Sequence, residues 1–115
     1  MSCNNEIHLN DIGTEFIVTI VECINEVDVP IDISTATLKQ IFFLKPDGIV
    51  LTKTASFTSI SSGGTGDGSD GMLSYFSVVG DLDLLNSYKL QGKVYTPLGN
   101  WGSSTAKFKV VKNLY

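Results

Sequence analysis

Apolar and polar residues alternate with a period of two along most of this 115-residue chain, the pattern of strands that bury one face. In residues 15–23, Phe16, Val18 and Ile20 share one face, while Ile17, Thr19 and Val21 share the other. Residues 28–34 carry Pro30, which has no amide to give to a ladder and so marks a sheet edge or a strand start. Residues 37–45 set Ile41 and Phe43 with Lys39, against Leu38, Phe42 and Leu44 with Gln40. The stretch "KPDG" at 45–48 then predicts a turn: Pro46 presets φ, and Gly48 supplies the left-handed exit. Ile49, Leu51, Ala55 and Phe57 alternate in the strand that returns, and residues 72–79 predict another. Residues 80–87 form the one plausible helical turn, with Asp81 as its cap, too short to be stable alone. Tyr88, Leu90, Gly92 and Val94 alternate with Lys89, Gln91, Lys93 and Tyr95. In the last strand Ala106, Phe108 and Val110 point inward, and outward Lys107 and Lys109 discourage stray edge pairing.

About seven short strands, frequent turn signals and almost no helix predict an all-β protein. The expected class is an immunoglobulin-like antiparallel β-sandwich. Residues 11–115 form its single domain, preceded by an arm of residues 1–10. The Cys…Trp…Cys pattern of antibody domains is absent, because no cysteine follows Cys23 and Trp101 stands beside a turn.

Composition narrows the functions. Hydrophobic residues at 43%, with six Phe and four Tyr, suffice for a packed core. A net charge of −4, with eight lysines and no arginine, argues against nucleic-acid binding, which needs concentrated basic charge. No stretch approaches the roughly 18 apolar residues of a membrane span. Asn4, Asn5, Glu6, Asn10 and Asp11 exclude a signal peptide from the first 15 residues, so a soluble protein made in the cytoplasm is expected. Cys3 and Cys23 are then expected to be free thiols.

The stretch "SSGGTGDGSDG" at 61–71 invites a ligand. It lacks the lysine of a phosphate-binding loop, and its two aspartates would repel a phosphate. It resembles a single copy of a calcium-binding repeat that works only in stacked arrays, and it lacks the closing glutamate of an EF-hand. A slack connection between two strands is the expectation, with Asp67 and Asp70 keeping it soluble. His8 is the only histidine, and Asp28/Asp32 and Asp81/Asp83 read as edge and turn residues. No catalytic, cofactor or metal residues are therefore assigned, and no enzyme is expected. The candidate interface is Ile7, His8 and Leu9 of the arm, which would order by strand addition on assembly, with Trp101. Trp101, between Gly99 and Gly102, either anchors a partner or folds over the open end of the sandwich.

The order of these motifs resembles a phage family. Residues 11–22, then Asp32 to Thr37, Lys45 to Gly48, Gly80 to Asp83, and Tyr88 with Leu90, Gln91 and Val94 are similar to the immunoglobulin-like N-terminal domain of phage baseplate upper proteins and related tail proteins. The resemblance covers residues 11–111. It implies a non-enzymatic virion component, made in the host cytoplasm and present in multiple copies in a symmetric assembly with other phage virion proteins. In that family a fibre, neck or receptor-binding head follows the domain; this chain stops at Tyr115, so a small tail or baseplate adaptor is expected. The alternatives are a capsid decoration or fibre protein of the same fold, or a carbohydrate-binding module with Tyr75, Tyr95 and Trp101 as its platform.

Overall fold

The computed structural model describes residues 7–114. The strands are β1 (Ile7–His8), β2 (Glu15–Thr19), β3 (Val21–Ile24), β4 (Val27–Pro30), β5 (Leu38–Leu44) and β6 (Val50–Thr54), then β7 (Ser56–Phe57), β8 (Met72–Phe76), β9 (Asn86–Thr96), β10 (Gly99–Gly102) and β11 (Ala106–Val111). One sheet runs β1-β11-β9-β5-β6 with β10 also on β9, and a second runs β2-β8-β7. The expected all-β sandwich is the observed fold. In immunoglobulin lettering the large sheet has the order G-F-C-C′ (β11-β9-β5-β6) and the small sheet B-E-D. β1 adds to β11 in parallel, pairing Ile7 with Val110 and His8 with Val111.

Three details differ from the sequence reading. Residues 15–23 break at Ile20, whose amide donates to the Gly71 carbonyl while its own carbonyl accepts from Ile31. The chain leaves the small sheet there and folds a separate hairpin, β3–β4, whose turn residues Asn25 and Glu26 both have positive φ, the geometry of a tight type I′ turn. Residues 80–87 contain no helix, and Asp81 is not a cap: the amide it accepts is that of Val78, three residues upstream. Residues 7–9 of the expected arm are already part of the fold: β1 covers the edge of β11, and Leu9 donates its amide to Val111.

The core lies between the layers. Phe16, Val18 and Leu73 from the small sheet meet Ile41, Phe43, Tyr88, Leu90, Val94 and Val110 from the large one, all buried. Phe16 packs edge-on against Phe43 at 5.1 Å, and Tyr88 stacks on Phe108 at 5.1 Å. Each such pair contributes about 1 kcal/mol beyond area burial. Gly92 lets the layers approach, because a Cβ there would lie 2.6 Å from Val18 Cγ2. Val18 and Gly92 thus meet across the layers of a domain type that a disulfide commonly staples.

Polar bonds at the β8–β9 corner complete the closure. The Tyr88 hydroxyl accepts the Leu84 amide at 3.1 Å, four residues upstream, which is the tyrosine-corner arrangement of immunoglobulin folds. Asp81 is almost fully shut from water. One of its oxygens accepts from the Tyr75 hydroxyl of β8 and from the Val78 amide, and the other lies 2.9 Å from Lys53 Nζ of β6. Lys45 and Asp83 pair nearby at 2.5 Å. Burial alone would raise the Asp81 carboxyl, but the Tyr75 and Val78 hydrogen bonds and the Lys53 ammonium outweigh it, leaving it below its ordinary 3.8.

A depressed folded value means that Asp81 stabilises the fold above the unfolded carboxyl range, and that this is lost as pH falls through the folded value. Asp81→Asn should therefore cost about 3 kcal/mol at pH 7. Denaturant titrations of both proteins should show the gap shrinking below about pH 4; a pH-independent gap would show that the charge of Asp81 is not what matters.

Candidate interaction surface

The glycine stretch is not slack. It connects β7 to β8 through a single 3-10 turn, Ile60–Ser62, and folds back on the body. Asp67 Oδ1 accepts from the Ser69 amide at 3.0 Å, the Ser69 hydroxyl at 2.7 Å and the Thr65 hydroxyl at 2.8 Å. These bonds, the Ser69 amide first, draw its carboxyl down to about 2. Asp70 accepts the Thr65 and Met72 amides. The loop carbonyls of Gly68 and Gly71 receive the Ile33 and Ile20 amides, so it buttresses the base of the hairpin. Gly71 (φ 75°) cannot be replaced without conflict, since a Cβ there would stand 2.6 Å from the Ile20 carbonyl oxygen and 2.9 Å from that of Ile31. The two aspartates are thus spent on the loop's own hydroxyls and amides. Among the described residues no cluster of three potential metal ligands occurs.

The structure does not bring the four candidate interface residues together as a free surface. Ile7 and Leu9 pack against the core, and the His8 amide donates to Asp11. Trp101 pairs with buried Val94 across β9–β10, so it faces the layer interior and lies half-buried against the core. The aromatic platform also dissolves. Tyr95 lies opposite Asn100 on the outer side, whereas Tyr75 sits 5.7 Å from Phe43 with its hydroxyl on Asp81. Cys23 is a free, exposed thiol on the hairpin; Cys3 lies outside the described residues.

Charge is divided between the layers. No strand of the large sheet contains an acidic residue, and six lysines lie on those strands: Lys39, Lys53, Lys89, Lys93, Lys107 and Lys109. Lys53 is committed to Asp81, and Lys39 lies over the Phe57 ring. The register puts Val50, Leu44, Lys89 and Lys107 in one row across four strands, on the face turned away from the core. With Phe42, Gln91 and Thr105 they line a shallow groove of about 560 Å³. Lys89, Lys93, Lys107 and Lys109 have no ion-pair partner among the described residues.

The β3–β4 hairpin has the opposite character. Residues 22–30 are all exposed. Glu22 faces Val29 and Ile24 faces Val27, so one side presents three aliphatic residues beside a carboxylate. Glu26 and Asp28 add negative charge. Sequence reading missed both surfaces because it asked each strand which face was inward and not what the outward face carried. The available signal was the absence of any lysine before Lys39.

No protein-family model matches this sequence, and no curated protein matches it in a sequence search. Among the described residues no helix is long and apolar enough to cross a membrane.

The loop's role in holding the hairpin base is testable by paired substitution. Gly71→Ala should cost roughly 2–4 kcal/mol, because it adds backbone collision to left-handed strain. Gly48→Ala, with the same sign of φ and nothing within 4 Å of the added carbon, should cost only about 1 kcal/mol. Equal losses in denaturant unfolding would show that the loop does not press on the hairpin.

Proposed function

We propose that this protein is a non-enzymatic structural component of a phage virion: a tail or baseplate adaptor held in a multi-copy assembly by its loops, edges and sheet faces. The observation that carries the reading is the coincidence of the family-like motifs with the residues on which the fold depends. Asp32 accepts the Ser34 amide at 2.9 Å, and Ile33 is fully buried. Gly48 closes the Lys45 turn, Asp81 and Asp83 hold lysines, and Tyr88, Leu90 and Val94 are core. Such a motif order describes a scaffold, and the chemistry left to the exterior is that of contact: a basic apolar sheet face and an acidic apolar hairpin. The partners would be other phage virion proteins, and the site of residence the particle.

Capsid decoration or a fibre role on the same fold uses the same surfaces and differs only in location. The carbohydrate-binding reading loses its support with the dispersal of Tyr75, Tyr95 and Trp101 over different faces.

Quantitative mass spectrometry of purified particles from a producing lysate tests this directly. The chain should co-purify with tail components at several copies per particle. Abundance in the lysate with none in the particles would overturn the reading, and labelling of heads in place of tails would move it to decoration.

A further inference from the structure

We infer that the outer groove of the large sheet is a docking site for a second copy of this chain, which inserts its β3–β4 hairpin there. This deepens the assembly reading and rests on it for its biological setting, but the contact itself is a property of the chain alone.

The two surfaces are complementary in both respects that matter. The groove offers Phe42, Leu44 and Val50 on β5 and β6, with Lys89 and Lys107 beside them on β9 and β11. The free side of the hairpin offers Ile24, Val27 and Val29 beside Glu22. Val27 is 60% exposed and Val50 55%, so each copy leaves apolar area in water that the other would cover. The four outward lysines lack acidic partners among the described residues, and the hairpin carries three carboxylates with no lysine. Its other side has a different character: Cys23, Asp28 and Pro30 lie there, and Val21 and Asp28 line a recess with Ile17 and Ser103 of the body.

The chain's own hairpin does not fill its groove. The hairpin is tied at its base by the Ile20, Ile31 and Gly71 backbone bonds, and the chain from it enters β5 at Leu38. The groove is lined from β5, β6 and β9 together with Thr105 and Lys107, and no residue of the hairpin enters its lining. The contact is therefore between different patches of two molecules. Such head-to-tail contacts repeat, giving a ring when the rotation closes and a filament when it does not. The hairpin is small, so a single contact covers less than the roughly 1,200 Å² of a stable complex and is weak until the assembly multiplies it.

Sedimentation velocity of the full, reduced chain tests this from about 10 μM to about 1 mM in low salt. The mean mass should rise with concentration, and the rise should fade in high salt. Glu22→Lys and Lys89→Glu, both exposed changes, should each weaken association at least about tenfold. An equimolar mixture of the two should restore it, because each hairpin then meets an opposite charge in its neighbour's groove. Thermal unfolding confirms that both variants remain folded. A wild-type chain that stays monomeric throughout, association untouched by either swap, or a mixture that fails to recover would overturn the proposal. If the chain stays monomeric while particles still contain it, the groove belongs to a different acidic partner and the assembly reading stands.

Discussion

A carboxylate withdrawn from water, Asp81, binds the two layers of this sandwich to each other. Tyr75 reaches it from the small sheet and Lys53 from the edge strand of the large one. An unpaired buried carboxylate would be costly, so the three groups fix one another's positions and thereby the spacing of the sheets. The Tyr88 hydroxyl holds the same corner from the next strand by taking the Leu84 amide. The aromatic core then packs in the gap these bonds define, with Phe16, Phe43 and Phe108 in mutual contact.

This closure has a consequence for the exterior. With Lys53 consumed at the corner and Lys39 laid over Phe57, the remaining large-sheet lysines stand on the outer face and give an acidic protein one basic side. The acidic hairpin is held at its base by a loop that Asp67 and Asp70 shape by accepting its own amides and hydroxyls. Rigid placement of two complementary surfaces on different elements suits a part that is repeated, since little conformational freedom is lost when neighbours meet.

Much of this architecture was legible in the chain. Period-two alternation separated the two faces of β2 and β9, because burial on one side leaves that mark wherever a strand is long enough, whereas β5, apolar on both faces, did not declare its inward one. The "KPDG" turn was readable from its own chemistry. The break at Ile20 was not, since it depends on Gly71, fifty-one positions later, and no local pattern reports a partner so distant. The order of the glycine loop was hidden for a related reason. Its composition is that of a flexible linker, and only the hydroxyl and amide bonds to Asp67 and Asp70 distinguish a built loop from a loose one. Trp101 was ambiguous until its pairing with Val94 fixed its side. The docking surfaces were visible only as a lack of lysine before residue 39, a charge asymmetry without geometry.

The most direct measure of the Asp81 clasp is a double-mutant cycle between Tyr75→Phe and Lys53→Met, which remove groups from opposite layers that meet only at that carboxylate. Once either partner is gone, Asp81 takes up a proton or turns toward water, so the second loss matters less. The double variant should therefore fall short of the summed single losses by at least about 1 kcal/mol in denaturant unfolding. Additivity to within about 0.3 kcal/mol would contradict the account, showing that the layers are held by their apolar faces alone.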